Sequence, residues 1–171
     1  MISSPKHRAF VALGSNLQHP AQQVGNALNE LNALPQTTLI KASSLYKTAP
    51  VGYDNQPDFI NAVAEVETTL TAPALLTALL KLEDAHGRER PFPNAPRVLD
   101  LDLLLHDDET MQTTTLTLPH PRMHLRGFVM LPLAEIAPDV IIPNIGKVSE
   151  IALACADQSV EKMHHPDKNP A

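Results

Sequence analysis

The chain has 171 residues, of which 43% are hydrophobic and 19% charged, and its formal net charge is −6 at pH 7. This length fits a single domain with its own core, and the negative charge argues against a broad nucleic-acid-binding surface, which would be basic. The sequence contains no apolar run of the roughly 20 residues that a membrane span requires, no signal-peptide pattern, and a single cysteine, Cys155. We therefore expect a cytoplasmic protein with no membrane or nucleic-acid partner, no disulfide framework and no cysteine-based metal site.

The hydrophobic pattern changes along the chain between alternation, typical of strands, and spacings of three and four residues, typical of helices. The predicted elements are strands over 7–13, 38–46, 58–68, 97–105 and 111–117, a helix bounded by Thr71 and Gly87, and helices over 21–34 and 148–156. The order strand, helix, strand, strand, helix, strand is the split βαβ pattern of a ferredoxin-like α+β sandwich. We expect an additional C-terminal strand and helix, one domain over residues 1–160, and a disordered tail over residues 161–171.

Two aspartates, Asp100 and Asp102, interrupt the otherwise apolar strand over 97–105. Because side chains on a strand alternate between its faces, both carboxylates point the same way and the neighbouring leucines point the other way. Two adjacent carboxylates in a dry site require a cationic partner. Mg²⁺ is commonly held by one or two carboxylates together with substrate phosphates. The pattern alone leaves two explanations open, a metal site and a pair salt-bridged to nearby arginines.

The arginines are unevenly distributed, since five of the six fall between positions 88 and 126 while the lysines are scattered. The planar guanidinium group suits bidentate recognition of phosphate, which lysine does not reproduce. Arginines gathered around the two aspartates therefore fit a site for a metal-bound polyphosphate, and a solvated basic loop remains the alternative. The five residues are Arg88, Arg90, Arg97, Arg122 and Arg126.

Asn61 is the polar exception in the strand over 58–68, where alternation places it on the same face as Phe59 and Val63. A buried amide needs a hydrogen-bond partner. Two partners are open at this point: the neighbouring backbone, or the polar edge of a flat heterocycle that stacks on Phe59.

Eight segments between about residue 8 and about residue 143 follow the order of motifs in one known family. These segments are 11–16 (VALGSN), 43–52 (SSLYKTAPVG), 56–61 (QPDFIN), 82–83 (LE), 87–90 (GRER), 95–105 (APRVLDLDLLL), 118–123 (LPHPRM) and 126–133 (RGFVMLPL). Together they resemble the 6-hydroxymethyl-7,8-dihydropterin pyrophosphokinase family of folate biosynthesis. The most specific part is the Pro-Arg-x-Leu-Asp-Leu-Asp run followed by the downstream Pro-His and Arg-Gly-Phe.

The resemblance implies transfer of an intact pyrophosphoryl group from ATP to the hydroxymethyl oxygen of the pterin, with release of AMP. It also implies two Mg²⁺ ions held by Asp100 and Asp102, with Arg88 and Arg97 acting beside them in catalysis. Such a transfer depends mainly on positioning and charge neutralisation. The residues that the resemblance assigns to ATP are Glu83, Arg88, Arg90, Arg97, His120 and Arg126. Those that it assigns to the pterin are Thr48, Ala49, Val51, Phe59, Asn61 and Phe128.

Other interpretations stay open at the level of sequence. Ordinary core packing would explain Phe59 and Phe128 as well as stacking does. The acidic pair would also serve another Mg²⁺-dependent phosphoryl or nucleotidyl transferase, and a ferredoxin-like module that binds a nucleotide or pterin without turnover is a third possibility. We expect small-molecule substrates and a monomer. The chain departs from the family pattern in the loop before Asp100, which is about one residue shorter and lacks tryptophan, and at Thr115 and Pro121.

Overall fold

The computed structural model describes residues 5–16, 19–49, 58–87 and 98–163. The strands are β1 (His7–Ser15), β2 (Thr37–Ala42), β3 (Tyr46–Thr48), β4 (Phe59–Thr68), β5 (Asp100–His106), β6 (Met111–Gln112), β7 (Thr117–Leu118), β8 (Ile141–Ile142), β9 (Gly146–Lys147) and β10 (Val160–Lys162). The helices are α1 (Pro20–Leu31), α2 (Ala72–Ala85), α3 (Gly127–Ile136) and α4 (Val148–Ala154), with a short 3₁₀ turn over Met123–Leu125.

The centre of the molecule is a six-stranded sheet in which every neighbouring pair is antiparallel. The strands run in the order β10-β3-β4-β1-β5, and β2 pairs with the same strand β4 as β3 does. The order β2-β4-β1-β5, with α1 and α2 as the two crossovers, is the ferredoxin-like arrangement expected from the element order. The predicted α+β fold class is therefore confirmed.

The sheet is covered by helices on both faces. The first core lies under α1 and α2 and includes Leu31, Leu79 and Leu101, all buried. The second core lies under α3 and α4 and includes Phe10, Met130 and other buried residues. Helix α3 is apolar on all sides because it fills this second core, and it does so despite Pro132 within it. Among the described residues, no helix combines the length and the apolar character needed to cross a membrane.

Local signals predicted α2 well. Thr71 caps its first turn, where the Thr71 hydroxyl accepts a hydrogen bond from the Ala74 N–H at 3.3 Å. Gly87, at a φ of 126°, follows its end and takes a conformation that an L side chain rarely adopts.

Four expectations about element boundaries are wrong. The predicted strand over 111–117 is two short strands, β6 and β7, which pair with each other. The predicted strand over 38–46 is two strands, because Ser43 lies between them and its backbone N–H and hydroxyl both bond to the backbone of Val63. The last helix ends at Ala154, not at 156. The tail does not begin at 161, since Glu161 and Lys162 pair with β3 as part of β10. Strand β10 lies at the edge of the sheet and is held by backbone hydrogen bonds. Its polar sequence therefore did not predict a strand. Residues 164–171 lie outside the described residues.

Candidate active site

A cavity of about 630 Å³ opens on the α3 face of the sheet, beside the second core. It brings together eight of the residues predicted to form the site: Thr48, Ala49, Phe59, Asn61, Asp100, Asp102, Arg126 and Phe128. The remaining lining residues are Ala12, Leu13, Gly14, Leu125 and Gln158. Six separate parts of the chain therefore converge on one space.

The register of the sheet explains this convergence. Gly14 lies opposite Asn61 on one side and opposite Asp100 on the other, and Ala12 lies opposite Asp102. Because the central strand carries only small side chains at these positions, the longer polar side chains of its two neighbours share the space above it. A Cβ atom at Gly14 would lie only 3.0 Å from the Asn61 Oδ1 atom. Glycine at position 14 thus allows the close approach of the Asn61 amide, which a larger residue would displace.

Asn61 is 5% exposed, and its Nδ2 donates a hydrogen bond to the Thr48 hydroxyl oxygen at 3.0 Å. The partner is therefore a side chain of β3 and not the neighbouring backbone. This bond fixes the plane of the amide at the wall of the cavity. Thr48 and Asn61, which the sequence resemblance assigned to the pterin one by one, are therefore a hydrogen-bonded pair.

The alternation predicted for β5 is confirmed, since Asp100 and Asp102 are half-buried and face the cavity while Leu101 and Leu103 are 4% and 3% exposed in the first core. The pair supplies carboxylate oxygens from one face of one strand to a concave space. Oxygen donors of this kind are what a hard cation such as Mg²⁺ prefers. The residues present therefore fit the metal that the sequence suggested.

His120 lies beside this acidic pair without lining the cavity. Burial lowers the pKa of His120 below its usual value; the charges of Arg126 and Arg122 act in the same direction, and Asp102 opposes them. The Arg122 N–H points to His120 Nδ1 at 3.2 Å. That nitrogen therefore accepts, and the proton of the neutral ring resides on Nε2. A neutral imidazole in this state can donate one hydrogen bond to an anionic ligand.

The start of α3 forms another part of the cavity wall. The Arg126 guanidinium carbon lies 5.6 Å from the centroid of the Phe128 ring, a cation–π contact. Gln158 holds this segment, because its Oε1 accepts from the Gly127 N–H at 2.8 Å and its Nε2 donates to the Leu125 carbonyl oxygen at 3.0 Å. We call this pair of bonds the Gln158 clasp. Gln158 was not predicted from the sequence, because it lies far along the chain from every recognised motif.

The remaining predicted site residues fall into two groups. Glu83, on α2, accepts a hydrogen bond from the Leu101 N–H at 2.7 Å and does not line the cavity. It satisfies a backbone amide of edge strand β5 between the two aspartates, and its assignment to ATP stays a prediction. Val51, Arg88, Arg90 and Arg97 lie outside the described residues.

Comparisons with known proteins agree with this geometry. Residues 10–138 match the family described as 7,8-dihydro-6-hydroxymethylpterin-pyrophosphokinase (HPPK). The chain is 43% identical over 156 residues to a 2-amino-4-hydroxy-6-hydroxymethyldihydropteridine pyrophosphokinase of Haemophilus influenzae, covering 91% of this chain and 98% of that protein. It is 40% identical over 156 residues to the pyrophosphokinase of the same name from Pseudomonas aeruginosa, covering 91% of this chain and 96% of that one.

The fold also has a counterpart among solved structures. A crystal structure of Plasmodium falciparum HPPK-DHPS with pteroate superposes with a TM-score of 0.71 at 13% sequence identity, covering 90% of this chain. The chain spans 43% of that longer protein. At this identity the likeness concerns the fold.

Proposed function

Because the chain belongs to the 7,8-dihydro-6-hydroxymethylpterin-pyrophosphokinase family, we propose that its cavity transfers pyrophosphate from ATP to the hydroxymethyl group of 6-hydroxymethyl-7,8-dihydropterin. The products are AMP and the pterin diphosphate. The observation that carries the proposal is the cavity itself, which has an acidic pair, Asp100 and Asp102, on one strand and an amide with two aromatic rings on other elements. A reaction between a polyphosphate and a flat heterocycle needs both of these walls.

The pterin side of the proposal rests on Asn61, Thr48 and the rings of Phe59 and Phe128. A bicyclic heterocycle presents two flat faces and a polar edge, and aromatic side chains bind such faces by stacking. The buried Asn61 amide, fixed by Thr48, is suited to the polar edge because it offers a donor and an acceptor in one plane. Ala49, which also lines the cavity, and Val51 complete the proposed pterin site.

The ATP side rests on Asp100, Asp102, Arg126 and His120. The two carboxylates would hold two Mg²⁺ ions, which when bound supply positive charge to the phosphate oxygens. The Arg126 guanidinium binds phosphate by charge-assisted hydrogen bonds. The neutral His120 ring donates one more from Nε2. We include Glu83, Arg88, Arg90 and Arg97 in the proposed ATP site from the sequence motifs, with Arg88 and Arg97 among the catalytic residues.

The cavity also positions the two substrates and restricts the access of water to them. Binding both substrates in one cavity turns a bimolecular reaction into an effectively unimolecular one. Such positioning is a main contribution of an enzyme to phosphoryl transfer. Water that reached the same space would compete with the pterin hydroxyl as acceptor. We propose that bound pterin excludes this water by filling the space between Phe59 and Phe128.

Product analysis tests the proposed function. The purified chain is mixed with ATP, MgCl₂ and 6-hydroxymethyl-7,8-dihydropterin, and AMP and the pterin diphosphate are quantified. We expect the two products in equal amounts and none without the pterin. Release of ADP or free pyrophosphate would indicate another transferase, and ligand binding without AMP would indicate a binding module.

We further propose that the enzyme acts as a monomer. Light scattering of the protein in solution, with and without substrates, tests this. A dimer that dissociates together with loss of activity would contradict it.

A further inference from the structure

A cluster of four metal-ligating side chains lies at the opposite end of β1 and β5 from the cavity. The ligand atoms of His7, His106, Asp107 and Glu109 all lie within 4.8 Å of one another. We propose that this cluster, here called the His–Asp–Glu cluster, is a structural site for a divalent transition-metal ion, Zn²⁺. It is independent of the proposed catalytic function.

The register separates the two sites. On β1, Ala9 lies opposite His106 and Gly14 lies opposite Asp100. Strands advance about 3.4 Å per residue, so these two positions on β1 are roughly 17 Å apart. An ion in the His–Asp–Glu cluster would therefore not take part in chemistry at the aspartates.

His106 is the most buried member of the cluster, at 1% exposed. Its Nε2 lies 3.0 Å from the Leu70 carbonyl oxygen. Because a carbonyl oxygen only accepts, Nε2 carries a proton. The other ring nitrogen, Nδ1, faces a carboxylate oxygen of Glu109. In the neutral ring these two atoms present lone pairs to each other, so a cation is required between them.

The required cation is either a proton or a metal ion. A proton on Nδ1 would give a His106–Glu109 ion pair only, whereas a metal ion would also bind His7 and Asp107, whose ligand atoms lie within the same 4.8 Å. A metal ion uses the lone pairs of both atoms. The hydrogen bond from Nε2–H to a backbone carbonyl is the outer contact that metal-bound histidines make, and it orients Nδ1 toward the ion. His106 is therefore arranged as a ligand.

The other members of the cluster complete a ligand set. His7 Nδ1 lies 2.7 Å from Asp107 Oδ2, and the rings of His7 and His106 have centroids 4.4 Å apart. Two neutral imidazoles and two carboxylates balance the charge of one divalent ion. Four nitrogen and oxygen ligands are typical of Zn²⁺, whereas Mg²⁺ and Ca²⁺ prefer oxygen alone. The side chains of His7, Asp107 and Glu109 are 22%, 38% and 40% exposed, which leaves an entry path from solvent.

Such an ion would join the start of β1 to the end of β5 and to the turn that follows it. Asp107 already joins this turn to β1, because its Oδ1 accepts a hydrogen bond from the Arg8 N–H at 2.8 Å. A metal that binds the folded chain and not the unfolded chain raises the apparent stability by mass action. The expected role is stabilisation of this edge of the sheet.

Zinc titration of the full chain tests the proposal. The protein is treated with a chelator, dialysed, and titrated with ZnCl₂ in a calorimeter, without ATP or pterin, while thermal unfolding is followed separately. We expect one Zn²⁺ per chain and a rise in Tm that saturates at one equivalent. Co²⁺ in its place should give the visible absorption of a four-coordinate ion. Substitution of a partly exposed ligand, His7→Ala or Asp107→Asn, should weaken Zn²⁺ binding by at least about tenfold.

Two controls locate the ion. His19→Asn removes an exposed histidine outside the cluster, at a position whose φ of 63° suits asparagine, and should bind Zn²⁺ like the wild type. Asp102→Asn should also keep the site. No Tm rise in the wild type, or an unchanged rise in both His7→Ala and Asp107→Asn, would overturn the proposal. Binding lost in Asp102→Asn but kept in His7→Ala would overturn it as well, by placing the ion in the catalytic cavity.

Discussion

The two faces of the sheet are built from alternate residues of the same strands, yet they differ in chemistry. Against α1 and α2, Leu13, Ile60 and Leu101 form one uninterrupted apolar core. One position further along β4 and β5, Asn61 and Asp102 point into the cavity on the other face. Stability and function are thus separated by the pleat of the sheet, since neighbouring residues on one strand contribute to different properties. Substitutions at adjacent positions should therefore affect different properties, activity in one case and stability in the other.

The largest effect is expected on activity, from Asp102→Asn. Loss of one carboxylate charge from the acidic pair should lower kcat/KM by about 1,000-fold, because a metal ion contributes several kcal/mol to such a transfer. The Tm should remain close to that of the wild type, since Asp102 lies outside both apolar cores. AMP formation and thermal unfolding are the two measurements.

Asp139→Asn is the matched control for that prediction. This side chain is 91% exposed, and its change should alter neither activity nor Tm. Wild-type turnover in Asp102→Asn would remove the acidic pair from the proposed mechanism.

The next effect is on stability, from Leu101→Ala on the strand position beside Asp102. Leu101 is 4% exposed in the first core, so its truncation should cost about 3 kcal/mol of unfolding free energy. The folded variant should retain a KM near that of the wild type. Urea unfolding gives the first quantity and initial rates give the second. Leu153→Ala, at a side chain that is 77% exposed, should change stability by less than about 0.5 kcal/mol.

A smaller effect is expected from Gly14→Ala, which tests the contact between β1 and the Asn61 amide. The new methyl group would lie 3.0 Å from Asn61 Oδ1, so the amide must shift by a few tenths of an ångström. We expect the KM for the pterin to rise on the order of tenfold, with a smaller change in the KM for ATP.

Gly25→Ala is the matched glycine substitution, because a Cβ there meets nothing within 4 Å. It should stabilise α1 by roughly 0.5–1 kcal/mol and leave both KM values unchanged. Equal changes of the two KM values in Gly14→Ala would contradict a specific role of Asn61 toward the pterin.

The smallest effect concerns the attachment of α3 to β3 through Glu135. Burial acts to raise the pKa of the Glu135 carboxyl, but hydrogen bonds from the Tyr46 hydroxyl at 2.6 Å and from Ser44 outweigh it, so the pKa is lowered from 4.5. A carboxyl with a lowered folded-state pKa stabilises the protein above its unfolded-state pKa, and this stabilisation is lost as the pH falls through the lowered value.

The wild type should therefore be more stable than Glu135→Gln at pH 7, and the difference should shrink below about pH 4.5. Urea unfolding at pH 7 and at pH 3 measures it. A difference that is equal at both pH values would show that the charge of Glu135 does not contribute.

The residues predicted from sequence are those whose position follows from local pattern. Alternation alone placed Asp100 and Asp102 on one face of β5. It likewise placed Asn61 and Phe59 together on one face of β4. The same reasoning found the Thr71 cap, because capping depends on neighbours within one helical turn.

Features that depend on contacts between distant segments were not predictable in this way. The Thr48–Asn61 bond joins two strands, and the Gln158 clasp joins the end of the described chain to the start of α3. Strand β10 has no apolar alternation because it lies at an edge and pairs through its backbone. Hydrophobic periodicity reports which face is buried, and it carries no information about which distant backbone a polar residue will reach.

The Gln158 clasp has a consequence for how the cavity is assembled during synthesis. Gln158 and β10 are made after every other described residue of the site, and they close onto the Leu125–Gly127 segment and onto β3. A growing chain that ends before residue 158 already contains both aspartates, Asn61 and both aromatic rings, but it lacks the two hydrogen bonds of the Gln158 clasp to the Leu125–Gly127 segment. The order of translation thereby delays completion of the site until the supporting sheet can already be in place.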